Sequence, residues 1–170
     1  STRIESTVFA RNLIEESLYT DIVAAGSRVG DPEQTVIVRG TSFFDNRGRT
    51  VEGGIVPTSL FSASSNATTR FIGVAADSPL YLNGTGHACL VTNAGASAYR
   101  NPGSNDFRPA ANSLLVDACP EATFAPTYSG IDLQPRCSDD PNYNRGGTCD
   151  IGAAEAPLDP FFAGFGNDFE

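Results

Sequence analysis

The sequence contains no lysine, methionine or tryptophan, and it has a single histidine, His87. Its eleven basic residues are therefore all arginines, and twenty acidic residues outnumber them to give a net charge of −9. A surface with this charge repels nucleic-acid phosphates and anionic membranes. We therefore expect no nucleic-acid partner.

Long hydrophobic runs are also missing. No stretch of about 18 apolar residues occurs, and no charged segment followed by an apolar one precedes a cleavage site. The sequence thus predicts neither a membrane span nor a retained signal peptide. Because the first residue is Ser1 and not methionine, we interpret the chain as a processed product or a fragment.

Closely spaced cysteine pairs, which zinc sites usually show, are absent as well. The four cysteines favour disulfides in an oxidising, extracellular setting, although four reduced buried thiols are the alternative. Of the three possible pairings we prefer Cys137 with Cys149 and Cys89 with Cys119, because the first pair would close a Gly- and Asn-rich loop near its base. Two sequons, at Asn66 and Asn83, fit a secreted glycoprotein.

What the chain does contain is an all-β pattern. Short β-branched or aromatic runs, such as residues 35–39 and 87–92, alternate with Gly, Asn, Asp, Ser and Pro. The one helix-like stretch, residues 12–19, is short, and we predict a loop or a single turn there. From 94 to 109 the strand pattern lapses, which predicts a connecting segment.

A weak internal repeat refines this prediction. Residues 8–12, 42–46 and 89–93 each place a bulky apolar residue three positions before an asparagine. Stacked coils would bury such apolar residues, while each asparagine could hydrogen-bond its equivalent in the next coil. A Ser/Asn-rich β-sandwich with chance repetition is the alternative.

The first two copies also align upstream. In that alignment Thr2 and Ile4 fall where Val36 and Val38 fall, with the period-2 alternation of a strand. The unequal spacing between copies predicts long loops between the coils.

Three blocks near the end of the chain carry a family resemblance: SLLVDAC at 113–119, GIDLQPR at 130–136 and CDIGAAE at 149–155. They resemble the final coils of secreted choice-of-anchor Q proteins in the pectin-lyase-like superfamily. The resemblance implies a right-handed parallel β-helix with a loop-rich, disulfide-stabilised C-terminal cap. We therefore divide the chain into coils (1–105), a cap (106–157) and a Phe-rich acidic tail (158–170).

The polar residues of such a cap can have a structural role. The planar guanidinium of Arg136 could join Asp132, Asp150 or Glu155, and Gly152 would allow a close backbone approach. A substrate-binding role for the same residues is the alternative. We favour the structural role because loops without helix or sheet hydrogen bonds need polar anchors.

A cation site is a second hypothesis for this region. Oxygen ligands that suit calcium are concentrated in the loop between the last two cysteines and just after it, although their spacing departs from the EF-hand pattern and a solvated acidic loop is the simpler interpretation. The calcium candidates are Asp139, Asp140, Asn142, Asn144 and Asp150. We predict no other cofactor.

Catalytic patterns are faint. Residues 86–88 and the adjacent Asp139 and Asp140 only weakly resemble polygalacturonase-like motifs, which also use a lysine. Glycoside hydrolysis needs two facing carboxylates, and neighbouring side chains in a loop normally diverge. No G-x-S-x-G elbow is present. We therefore assign no catalytic residue and interpret His87 as a strand residue.

The tail carries four phenylalanines that would fold back onto the coils or, alternatively, dock on a neighbouring subunit: Phe161, Phe162, Phe165 and Phe169. Together these features predict an extracellular structural or adhesive module of a cell-surface or filament-forming protein. Its partners would be neighbouring copies, other surface proteins or glycans. The alternative is an accessory or C-terminal part of a polysaccharide lyase or glycoside hydrolase acting on acidic polysaccharide.

Overall fold

A computed structural model describes residues 2–14, 23–25, 34–49, 52–57, 61–63, 67–79, 86–120, 130, 137 and 147–156. Within these ranges the chain is all-β, as predicted, and contains no α-helix. Short 3₁₀ helices occupy Ala96–Ala98 and Pro102–Ser104. The strands are β1 (Thr2–Glu5), β2 (Val8–Ala10), β3 (Leu13–Ile14), β4 (Val23–Ala25), β5 (Gln34–Arg39), β6 (Ser42–Phe44), β7 (Arg47–Arg49), β8 (Ile55–Pro57), β9 (Phe61–Ala63), β10 (Ala67–Ala76), β11 (Ala88–Val91), β12 (Tyr99–Asn101) and β13 (Asp106–Pro109).

The main sheet has six strands, and all of its pairings are parallel. β1 pairs with β5 and β2 with β6, while the long β10 pairs with both β5 and β6. The register matches Thr2 with Val36 and Ile4 with Val38. The alignment of the first two repeat copies is therefore confirmed residue by residue.

The smaller sheets follow the same chain order. β3 pairs in parallel with β7, and β4 pairs in parallel with β9. β8 then adds to the free side of β7 in the antiparallel direction. The residues just after Asn12 thus begin a strand at Leu13, where we had expected a loop or turn.

A column of left-handed backbone bends separates the two halves of the main sheet. Ser6, Gly40, Gly73 and Cys89 have φ values of 45°, 49°, 60° and 54° and occupy equivalent positions in successive strands. The hydrogen-bond ladder continues through the bends, because the Ser6 N–H donates to the Arg39 carbonyl and the Gly40 N–H to the Ile72 carbonyl. Two of these bends use residues other than glycine, which normally avoid this conformation.

The main sheet is covered on both faces. Successive residues of a strand point to opposite sides, so each strand contributes side chains to both. One face carries the Phe9 and Phe43 rings, stacked with centroids 5.3 Å apart. The core on this face consists of Val36, Val38, Phe43, Phe71, Val74 and Ala76, with Ile4, Phe9 and Leu90 packed against it.

The other face supports the C-terminal half of the described chain. Phe44 packs edge-on against Tyr99 and Phe107, with ring centroids 5.8 and 5.7 Å apart. The core here consists of Ala75, Ala94, Ala98, Tyr99, Phe107, Leu115, Cys119, Cys149 and Ile151. The described cap residues Leu115, Cys119, Cys149 and Ile151 therefore pack on a face of the sheet.

Two further expectations need correction. In the third repeat copy Leu90 pairs with Val74, whereas Phe43 of the second copy pairs with Ala76, so our alignment of that copy was shifted by two residues. The segment 94–109, predicted to be a plain connection, contains the antiparallel pair of β12 and β13. The side chains of Tyr99 and Phe107 anchor this hairpin in the core, which compensates for its glycines and prolines.

Candidate functional site

The disulfides define the candidate site. Cys89 is bonded to Cys119 and Cys137 to Cys149, which is the pairing we prefer from the sequence. Cys119 and Cys149 also exchange two backbone hydrogen bonds, of 3.0 and 3.1 Å, in an isolated antiparallel bridge. Both disulfides therefore meet at one point, and the first of them ties that point to β11.

Next to this junction lie three buried acidic residues, Asp117, Asp150 and Glu155, which we call the carboxylate cluster. Their exposed fractions are 0%, 2% and 4%. Burial of charged groups is costly unless hydrogen bonds compensate for the lost water. Backbone N–H groups provide such bonds to the carboxylates of Asp150 and Glu155.

Asp150 is the central acceptor of the carboxylate cluster. Its Oδ1 accepts a hydrogen bond from the Asp117 N–H at 2.8 Å, and its Oδ2 accepts one from the Ala156 N–H. The Asp150 N–H in turn donates to both carboxylate oxygens of Glu155, at 3.3 and 3.2 Å. Two carboxylates thus hold three backbone N–H groups that no strand ladder could satisfy.

The local backbone explains why these residue types are needed. Asp117 has φ of 48°, and Asp tolerates the left-handed region better than most residues. The Ile151 N–H donates to the Leu115 carbonyl at 2.9 Å, which joins the first and third sequence blocks. Gly147 lies so close to the Cys119 backbone that a Cβ there would be 2.1 Å from the Cys119 carbonyl oxygen.

Gly152 fixes the cluster to the sheet. Its N–H donates to the Gly73 carbonyl at 3.0 Å, and the Ala153 N–H donates to the Ser42 Oγ at 3.1 Å. A Cβ on Gly152, which has φ of +115°, would lie 2.8 Å from that same Oγ. The close backbone approach expected at Gly152 is therefore present.

A buried tyrosine lies beside this contact. Burial raises the pKa of the Tyr99 hydroxyl far above its usual range; the nearby Ser42 hydroxyl opposes the rise, and the charge of Asp77 adds to it. Within the described part of the chain the hydroxyl has no partner with full hydrogen-bond geometry. Tyr99 is thus held in its neutral, protonated form.

The candidates from the sequence are only partly brought together. Asp150 and Glu155 meet in the carboxylate cluster, while Asp132 and Arg136 lie outside the described residues. Asp117 belongs to the first sequence block, yet we assigned it no role, since its partner lies 33 residues away. His87, which we interpreted as a strand residue, lies just before β11. Its ring packs against the Phe71 ring, with centroids 5.5 Å apart.

The candidates for metal binding, glycosylation and assembly lie mostly outside the described residues. Across the described ranges, no group of three or more His, Cys, Asp or Glu side chains could hold a metal ion. Asp150, the one calcium candidate with a described position, uses both oxygens to accept backbone N–H groups. The calcium candidates Asp139, Asp140, Asn142 and Asn144, the sequons at Asn66 and Asn83, and the tail residues Phe161, Phe162, Phe165 and Phe169 lie outside the described residues.

Comparison with protein-family models, curated proteins and solved structures gives no match to this chain. In the described part of the chain, no helix has the length and hydrophobicity to cross a membrane. The carboxylate cluster and the disulfides together join four segments of backbone, around residues 89, 117–119, 137 and 149–156. This arrangement holds the segments together.

Proposed function

We propose that this chain forms part of an extracellular right-handed parallel β-helix that serves as a structural or adhesive module at a cell surface. The observation that carries the proposal is the spacing of the parallel partners in β1, β5 and β10. Thr2 pairs with Val36 and Val36 with Thr69, so that successive partners lie 34 and 33 residues apart. Two nearly equal steps of this length are typical of chains that wind one coil onto the next, and the step from Ile72 to Ala88 is shorter, at 16 residues.

The order of the strands supports winding. β1, β2 and β3 pair in turn with β5, β6 and β7, so each coil repeats the path of the one before it. The left-handed bends recur at equivalent positions, which keeps the corner of each coil in line with the next. The resemblance of the three C-terminal blocks to choice-of-anchor Q proteins points to the same architecture.

The mechanism of such a module is mechanical. Parallel strands covered on both faces form a rigid core, and the Cys89–Cys119 disulfide attaches the segment around Cys119 covalently to β11. Disulfides form and persist in oxidising compartments, which supports an extracellular location. The rigid outer surface would then present itself to neighbouring copies, other surface proteins or glycans.

Bead adhesion tests this function. Beads coated with the intact protein should adhere to one another, to cells or to immobilised glycans more strongly than beads coated with albumin of similar net charge. Adhesion no stronger than that of the albumin beads would contradict the proposal. Cleavage of an acidic polysaccharide by the soluble protein would instead favour the carbohydrate-active alternative.

A further inference from the structure

The sheet formed by β3, β7 and β8 carries exposed aliphatic side chains. Leu13 is 45% exposed and Ile55 is 49% exposed, although both belong to strands. Leu13 pairs with Arg47, and Arg49 pairs with Ile55. Because paired residues and alternate residues of a strand share one side, these four side chains lie on the same face.

We call this surface the apolar-cationic face and define it by Leu13, Arg47, Arg49 and Ile55. The Arg47 side chain is 55% exposed, and its Nε donates to the Asp45 Oδ1 at 2.5 Å. A guanidinium has five N–H donors, so one such bond leaves most of its capacity for other acceptors. Arginine also stacks on aromatic rings.

The chemistry of this face is unusual for a protein with a net charge of −9. Two arginines stand between two exposed aliphatic residues, an arrangement that suits an acidic segment with large apolar side chains. Residues 157–170 of this chain have that composition. They contain four phenylalanines, three acidic residues and no basic residue.

We propose that residues 157–170 dock on the apolar-cationic face of their own chain. The phenylalanine rings would cover Leu13 and Ile55 and stack on the guanidinium groups, while Asp159, Asp168 and Glu170 would supply carboxylates to Arg47 and Arg49. This inference goes beyond the proposed function and does not depend on it.

The tail can reach the face. The Ala153 N–H is bonded to the Ser42 side chain, and Arg47 follows Ser42 by only five residues. Ala156 and Arg47 are therefore at most about 35 Å apart, whereas fourteen extended residues span up to about 46–50 Å. A tethered segment has a high effective concentration near such a surface, which favours docking within the chain over docking on a second copy.

Limited proteolysis of the full chain tests the proposal. Chymotrypsin cuts after phenylalanine, so intact mass spectrometry can follow cleavage at Phe161, Phe162, Phe165 and Phe169. We expect cleavage within the tail to be about tenfold faster in Ile55→Asp and in Arg47→Glu than in the unmodified protein. Equal rates in all three proteins would overturn the proposal.

The chain offers a matched control for these variants. Val56 is 45% exposed and lies on the opposite side of β8, opposite Gly48. Val56→Asp places the same charge in the same strand but outside the apolar-cationic face, so it should leave tail cleavage unchanged. Equal acceleration by Val56→Asp and Ile55→Asp would show general loosening of the sheet and would contradict the proposal.

Hydrogen exchange provides a measurement that needs no substitution in the sheet. Removing residues 157–170 should speed amide exchange at Ile55 and Val56 several-fold, while the buried amides at 36–38 keep their rate and report an intact fold. Unchanged exchange at Ile55 and Val56 would overturn the proposal. So would a dimer that becomes a monomer when the tail is removed, because the tail would then dock on a neighbouring copy.

Discussion

Asn12 and Asn46 are joined by a hydrogen bond of 2.7 Å from the Nδ2 of Asn12 to the Oδ1 of Asn46. The same oxygen accepts the Asn12 N–H at 3.2 Å, and the Asn46 Nδ2 donates to the Phe9 carbonyl at 2.8 Å. Asn46 is fully buried, whereas Asn12 is exposed. One side chain thus links the segment after β6 to the segment after β2.

We expect Asn46→Ala to be strongly destabilising. The substitution leaves the Phe9 carbonyl and the Asn12 N–H without their partner, at about 1–3 kcal/mol for each buried group left unsatisfied. Asn12→Ala removes only one bond at the surface and should cost about 1 kcal/mol or less. Urea denaturation of both variants checks this order. Equal losses of unfolding free energy would show that Asn46 does not stabilise the fold through its bonds to the Phe9 carbonyl and the Asn12 N–H.

Gly152→Ala should lower the free energy of unfolding by about 1–3 kcal/mol, because a side chain at this φ is strained and its Cβ would press on the Ser42 Oγ. Gly95→Ala is the comparison, since a Cβ at Gly95 meets nothing within 4 Å. That variant should stay within about 0.5 kcal/mol of the unmodified protein. Thermal unfolding measures both, and a Gly152→Ala protein of normal stability would contradict the close contact.

Asp150→Asn tests the carboxylate cluster. The amide keeps one acceptor oxygen but turns an NH₂ donor toward the N–H of either Asp117 or Ala156, where the carboxylate now accepts. We expect a loss of about 1–3 kcal/mol. Asp106→Asn is the control: Asp106 is partly exposed and bonds mainly to Arg108, which lowers the pKa of that carboxyl. Its loss should be below about 1 kcal/mol.

Tyr99→Phe should change how stability depends on alkaline pH. The pKa of Tyr99 is raised in the folded state, so above about pH 10 the unfolded chain releases a proton that the folded chain retains. The stability that this group contributes is complete below pH 10 and is lost as the pH rises further. In Tyr99→Phe that decline should be absent, while stability at pH 7 changes little. Denaturant titrations between pH 7 and 11 measure the difference, and identical pH profiles would refute it.

The two disulfides should differ in their contribution. Cys89 and Cys119 are separated by 30 residues and Cys137 and Cys149 by 12, and the stabilisation by a cross-link grows with the loop that it closes. We expect paired serine substitutions to cost about 2–4 kcal/mol, with the Cys89–Cys119 pair costing about 0.5–1 kcal/mol more. Equilibrium denaturation under non-reducing conditions measures both, and the reverse order would argue against this account.

Some of the architecture could be predicted because it depends on local pattern. The alternation of Thr2 and Ile4 against Val36 and Val38 fixed a register that the structure reproduces, since a shift of one residue would turn every apolar side chain to the wrong face. The third copy could not be aligned in this way. Ile72 pairs with Ala88, only 16 residues away, so the spacing of the first two repeat copies gave no guide.

The sequence by itself determined the alternation of strands and turns, the all-β class, the register of the first two repeat copies and the cysteines that could pair. Tertiary structure alone decided that Leu115, Cys119, Cys149 and Ile151 pack on a face of the sheet and that Asp117 meets Asp150. It also placed Ser6 and Cys89 in left-handed bends aligned with Gly40 and Gly73. These outcomes depend on contacts between residues far apart in the chain, whose energies no local pattern encodes.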